Sequence, residues 1–472
     1  MHSLIVLSYR IELALNMQDS HFRVWYLFLA QVVAISAVLH GFGKFEPTDQ
    51  IDTASYRDYS IGNVEASLND KRTFVYPLVL RGFESADGSE RLVPWFQYLS
   101  SALSVGVFLA ALLRSGWNPW MALAGASPIL TSQIVVEYTG VLTPDLLAQS
   151  LAITSVAFWL LVVHVGNQRW ALLGLSIFVF LTYQTKPSYL GLLAFVPVGG
   201  WIARWWLHAH RNDAWRIAFG LAVASVMPFL LWCSMRWFVV GHFGLVSFGG
   251  YNIIGIAGQV LEPDRSKELS AEVQPLANEI VKRREALKGW QNNLDYDTVE
   301  SQFNPMVWTI AVPAASDLCE SDSREMNRIM ASLSKQVLLG NPQSYAEWLI
   351  KAAKRSVRVI VELTLRNPIS LLSIAIAIIA FGAGWQCDTS DSRRGGNMEF
   401  EREFQMLTWT AIGFAVCKLG LVILVEPPIE RYCAPASVFL PSLVAMFACR
   451  MVLRAQGRKS TTKIEPSHSP NS

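Results

Sequence analysis

The chain has 472 residues, of which 52% are hydrophobic and 16% charged, with 17 Trp and a formal net charge of +2. A mean hydropathy of +0.31 is too apolar for an ordinary soluble enzyme, and the near-neutral charge gives no footprint for nucleic acid. The composition reads as an all-α polytopic membrane protein in a lipid bilayer, with a polar tail from Arg458 to Ser472.

Apolar runs long enough to cross a hydrocarbon core need about 18 residues without charge. The sequence predicts about ten, near 24–41, 93–113, 117–136, 145–165, 170–185, 188–206, 217–240, 368–386, 406–425 and 433–453. The fifth, followed directly by Lys186-Pro187, can bend into the sixth as a broken helix. Residues 1–23 carry Arg10 and Glu12 in a modestly apolar stretch, which fits an interfacial N-terminus or a start at Met17.

With the N-terminus cytoplasmic and ten alternating spans, one side collects Arg10, Arg23, Arg114, Arg169, Arg204, Arg211, Arg216, Arg393, Arg394, Arg402, Arg454, Arg458, Lys459 and Lys463. The short loops of the other side hold little more than Lys186 and Arg431. This asymmetry follows the positive-inside rule, puts both termini in the cytoplasm and sends two long loops, 42–92 and 241–367, to the outer face. The expected organisation is an N-terminal module over 24–240, an outer-face subdomain over 241–367, C-terminal helices over 368–453 and a cytoplasmic tail over 454–472.

Chemistry-bearing residues gather on that outer side. Glu46, Asp49, Asp52, Tyr56, Asp58 and Tyr59 follow the first span, where a carboxylate can act as a general base on a hydroxyl or help hold a divalent ion; a solvated acidic loop is the bland alternative. Glu137 and Asp145 lie at the ends of the third and fourth spans, costly positions unless they face a cavity or a partner. Thr143-Pro144-Asp145 also fits a simple helix start, with Thr143 as cap and Asp145 favouring the positive dipole end. Lys186 and Arg431, with Arg72, Tyr76 and Pro77 nearby, can clamp a phosphate or serve as snorkelling anchors.

Other chemistries find little support. The eight His show no zinc spacing, and there is no Gly-rich nucleotide fingerprint or nucleophile elbow. Cys233, Cys417, Cys433 and Cys449 lie in or beside apolar spans without paired ligand spacing, as small buried hydrophobes do.

Six short segments together resemble the GT-C superfamily of integral-membrane glycosyltransferases, which includes protein mannosyltransferases and bacterial aminoarabinose transferases. They are Asp52-Thr-Ala-Ser-Tyr56, Arg72-Thr-Phe-Val-Tyr76-Pro77, Leu142-Thr-Pro-Asp145, Lys186-Pro187, Asn341-Pro342 with Tyr345, and Arg431-Tyr432 with Pro435. The resemblance implies a polyprenyl-phosphate sugar donor, a hydroxyl acceptor on a glycan, lipid or protein, and transfer on the outer face of a bacterial inner membrane. By residue it implies Asp52, then Asp49, as catalytic base, Asp145 or Glu137 as the second acid, and Lys186, Arg431 and Arg72 on the donor phosphate. Tyr56, Tyr432 and Tyr345 are expected in support, and a divalent cation, Mg or Mn, is an option rather than a requirement. The sequence departs from the protein mannosyltransferases in lacking an Asp-Glu pair in the first loop, since Gln50 and Ile51 separate Asp49 from Asp52. Competing expectations are a polysaccharide polymerase or ligase, a transporter, and a non-catalytic assembly protein.

Overall fold

The computed structural model describes residues 2–166, 169–208, 211–291, 294–382 and 394–461. Among them the fold is helical throughout, with one isolated parallel bridge pairing Thr48 with Val141. The principal helices are α1 (His2–Gly41), α2 (Thr53–Arg57), α3 (Val93–Arg114), α4 (Pro119–Leu130), α5 (Asp145–Val165), α6 (Arg169–Thr185), α7 (Leu192–His208) and α8 (Arg211–Val240). They continue as α9 (Gly249–Val260), α10 (Ser323–Gly340), α11 (Pro342–Arg366), α12 (Pro368–Gly382), α13 (Arg394–Val425), α14 (Glu430–Ala436) and α15 (Leu440–Thr461).

Among the described residues five helices are long and apolar enough to cross a membrane: Asp19–Gly41, Glu90–Arg114, Asp145–Val165, Asn212–Val240 and Phe400–Val425. The number rises to seven if the bent pairs α11–α12 and α14–α15, which turn by 74° and 42°, each count as one span. Both figures are below the ten expected from apolar runs, because hydropathy does not register helix ends. The run 117–136 is cut between Leu130 and Gln133 into α4 and a short helix, and α6 and α7 are 17 residues each. The break after α6 is set by Pro187: its missing N–H ends the helix, and Lys186 before it is extended at φ −148°. The expected boundary at residue 23 falls inside α1, one continuous helix. Residues 383–386 of the eighth expected span, together with Arg393, Lys463 and the end of the tail, lie outside the described residues.

A shared apolar core runs through the bundle, with Trp159, Phe108, Phe414 and Phe439 among its largest buried side chains. Long-range contacts distinguish the bundle's two ends. At one, Glu403 accepts from the Asn118 amide at 2.9 Å, Arg204 donates to the Val163 carbonyl at 2.7 Å and Arg114 lies over Trp170. At the other, Gln97 donates to the carbonyls of Thr139 and Val141 at 3.1 Å, and Thr73 donates to the Thr185 carbonyl.

The segment between α8 and α11 builds a second core from Tyr251, Ile254, Leu276, Ile280, Met306, Met330 and Leu333. Here helices pack with their charges turned outward, as the ion pairs of Arg283 with Glu279 and of Arg328 with Glu325 show. α11 leaves this subdomain along one side, burying Trp348, whose indole N–H donates to the Ile423 carbonyl of α13 at 3.2 Å.

Candidate functional site

Five side chains from five separate helix junctions meet in one ion-pair network. Asp52 precedes α2 in the loop after α1, and that loop is fastened to the segment before α5 by backbone pairing. The Thr48 amide donates to the Gly140 carbonyl at 2.8 Å, the Leu142 amide to the Thr48 carbonyl at 2.9 Å, and the Thr53 hydroxyl to the Leu142 carbonyl at 3.0 Å. Gly140 allows this approach because a Cβ there would lie 2.6 Å from two carbonyl oxygens, those of Lys44 and Glu46. Arg236, only 1% exposed, donates to the Leu68 carbonyl and anchors the later part of the same loop.

Arg431 enters at the start of α14 and bridges two carboxylates. Its Nη1 donates to Asp52 Oδ2 at 2.9 Å and its Nη2 to Asp145 Oδ2 at 2.8 Å. Arg72 donates through Nη2 to the other oxygen of Asp52 at 2.9 Å, while its Nε reaches Ser55 and its Nη1 the Tyr56 hydroxyl. Lys186, after α6, donates to Asp145 Oδ1. Three cations therefore face two carboxylates, leaving one formal positive charge in excess.

The two acids differ in access. The Asp145 side chain is fully buried and capped by two cations, whereas that of Asp52 is 34% exposed. Burial pushes the Asp52 carboxyl upward, but Arg72 and Arg431 outweigh it and hold the group below the ordinary aspartate value. Tyr56 is edge-on to buried Tyr76 with ring centres 5.4 Å apart, and burial raises its hydroxyl to about 12 despite the Arg72 charge.

Several expected residues stand elsewhere. Asp49 makes a bidentate pair with Arg57 at 2.7 Å, and Arg57 also binds Glu90; the hydrogen bonds from Arg57 lower the Asp49 carboxyl. Glu137 accepts from Gln133, which also donates to Glu430. Tyr345 donates to the Leu424 carbonyl at 2.8 Å, pinning α11 to α13 rather than meeting the network. Tyr432 sits under Lys186, whose Nζ is 5.1 Å from the ring centre, and donates to Glu426 at 2.9 Å. Thr143 does not cap α5: Pro144 holds the cap position, and the buried Thr143 hydroxyl has no hydrogen-bond partner among the described residues. Asp145 does occupy the first turn, where the positive end of α5 adds to the two cations around it.

Two participants escaped the sequence reading. Lys418, buried in α13, donates to Ser188 and lies 4.0 Å from the centre of the Tyr189 ring, whose hydroxyl binds Gln149. Glu426 follows the same helix and accepts from Tyr432. The signal was present, since Lys418 is a lone charge in an apolar run and such charges are costly without a polar role.

The carboxylates of the network are paired with cationic side chains. Asp52, Asp145 and Asp49 already spend their oxygens on Lys or Arg, and the described residues include no group of three His, Cys, Asp or Glu able to hold a metal. The described cysteines are free. No family model, no curated protein and no solved structure matches this chain.

Proposed function

We propose that the protein is an integral-membrane glycosyltransferase of the GT-C type, moving a sugar from a polyprenyl phosphate to an acceptor hydroxyl. The observation that carries the reading is Arg431 bridging a half-exposed acid, Asp52, and a buried one, Asp145, within a network one positive charge in excess. An excess cation at the apolar margin of a helix bundle suits a phosphate whose lipid chain lies between helices.

In the proposed reaction the acceptor oxygen attacks the anomeric carbon as the bond from that carbon to the phosphate oxygen breaks, inverting the centre. Asp52 takes the hydroxyl proton, and the polyprenyl phosphate leaves with the bonding electron pair, stabilised by Arg431, Arg72 and Lys186. The guanidinium pairs that make Asp52 a weak base also supply a remedy: donor phosphate competes for Arg431 and Arg72, and the loosened carboxylate becomes more basic. Asp145 stays fixed beneath and aims Lys186 and Arg431. No metal is assigned to the step.

In this reading ten segments cross the inner membrane of a bacterium, α6, α7 and the interrupted pair of α4 with Gln133–Tyr138 among them as short spans, with both termini cytoplasmic and the network on the outer face. Arg114 and Arg204 at the opposite end agree with a cytoplasmic surface there. A polymerase or ligase built on loop histidines is less suited, because His242 faces Arg236 and not the network.

The test is transfer of labelled sugar in membranes supplied with a panel of polyprenyl-phosphate sugars and extracted envelope acceptors, comparing wild type with Asp52→Asn at matched expression. Transfer by wild type that disappears in the variant is the expected result. A variant as active as wild type removes Asp52 as base, and absence of transfer from every donor overturns the reading.

A further inference from the structure

Beside the ion network lies a second concavity that the mechanism above does not use. It has a volume of about 300 Å³ and is enclosed by one face of α11, by Glu300 of the helix Tyr296–Asn304, and by the backbone turn Pro428 to Glu430. Arg355, Val359, Glu362, Leu363 and Arg366 recur at helical spacing, so α11 presents one stripe to this space. Glu430, on its rim, is the residue immediately before Arg431, which binds Asp52. The cavity and the network therefore share a wall.

The lining is two-faced. Val359 and Leu363, 9% and 5% exposed, form an apolar floor. Around it stand Glu300, Glu362 and Glu430 with Arg355 and Arg366: three carboxylates against two guanidiniums, a formal excess of one negative charge. Arg366 is tied to Glu362 at 2.5 Å and to Glu430 at 3.3 Å, and Arg355 lies over the Tyr296 ring, 5.6 Å from its centre. Glu300 has no hydrogen-bond or ion-pair partner among the described residues, leaving a carboxylate ready to accept from a ligand.

We infer that this cavity binds a neutral sugar ring, and that the ring belongs to the acceptor; the second half of the inference rests on the transferase reading. A pyranose has one face of C–H groups, which suits the Val359 and Leu363 floor. Its edge of hydroxyls suits carboxylates and guanidiniums, each forming charge-assisted hydrogen bonds. The negative excess disfavours a phosphate or another anionic group, which separates this cavity from the positive network beside it. Gln133 then acquires a purpose: donating to both Glu137 and Glu430, it fixes Glu430 on the shared wall, so Glu137 serves the acceptor side as a positioning residue.

Binding is tested on the full-length protein in nanodiscs by saturation-transfer difference NMR. The probes are methyl α-glucoside, methyl α-mannoside and methyl β-galactoside, with inorganic phosphate as competitor. At least one glycoside is expected to bind, and its affinity should fall about tenfold or more in Glu300→Gln and in Arg355→Gln, the loss of one charge-assisted contact. It should stay unchanged in Arg328→Ala, a distant surface control, and in the presence of phosphate. Thermal unfolding of each variant checks that the fold is retained.

No binding by any glycoside, binding indifferent to both cavity variants, or displacement by phosphate overturns the inference. The two readings fail separately. If wild type binds a glycoside through Glu300 but transfers sugar from no donor, the cavity stands and the transferase reading falls. If transfer occurs with an acceptor KM that neither variant changes, the acceptor site lies elsewhere and the transferase reading stands.

Discussion

The helix junctions around Arg431 and the helical subdomain between α8 and α11 both contain dense ion pairs, yet those pairs do different work. In the subdomain Arg328 reaches Glu325 and Glu272 with all three side chains more than 40% exposed. Water screens such pairs, and each contributes under about 1 kcal/mol. At the junctions Asp145 is fully buried, and the side chains of Lys186 and Arg431 are 11% and 19% exposed. Desolvating these charges is costly, and removing one leaves the rest uncompensated. The subdomain's charges keep a surface soluble; the network's charges sit where apolar residues would pack as well, which supports the proposed role.

The comparison sets an order of expected effects. Asp52→Asn should lower sugar transfer by about 10²- to 10⁴-fold, the usual worth of a general base, with little loss of stability because Asp52 is partly solvated; initial rates and thermal unfolding measured together check both halves. Asp145→Ala should do the reverse first, destabilising the protein by about 3–5 kcal/mol, since Lys186 and Arg431 lose their shared counter-ion. Unfolding of this variant indistinguishable from wild type would erase the contrast between the two regions. Arg431→Ala should weaken donor use by about 1.5–3 kcal/mol, seen as a raised donor KM. Arg328→Ala, at the small end, should shift stability by less than about 1 kcal/mol and leave transfer untouched.

Acid sharpens the same contrast. Because Asp52 is held below its ordinary value, its pairing contributes full stability above the unfolded value of about 4 and loses it as pH falls through the lower folded value. Between about pH 5 and 8 the free enzyme should therefore show no acid limb from Asp52 in kcat/KM, and a limb should emerge only below about pH 4. An inflection near neutrality that vanished in Asp52→Asn would contradict the two-guanidinium environment.

Much of the network was legible because charge beside an apolar span is conspicuous. Asp52, Arg72, Asp145, Lys186 and Arg431 were each singled out, and the structure brings all five together. Asp49 was equally conspicuous and lies apart, because its partner Arg57 is one of several nearby cations and only the turn of α2 decides which acid it meets. Tyr345 failed similarly: its place on α11 was readable, but its reach to the Leu424 carbonyl depends on how two distant helices cross. Helicity was readable throughout, while the number of spans was not, because interruptions at Thr131–Ser132 and around Pro187 shorten helices without changing mean hydropathy. Lys418 sits inside an apolar run rather than beside one, and a lone charge there is as informative as one at the edge.

Arg431 lies 379 residues beyond Asp52 and 286 beyond Asp145. During synthesis, then, the chain inserts helix after helix with both carboxylates in place and their common bridge still on the ribosome. A nascent or prematurely terminated chain holds an open junction in which Asp52 and Asp145 lack their common guanidinium. The network therefore closes only once the whole stretch from Asp52 to Arg431 has been made.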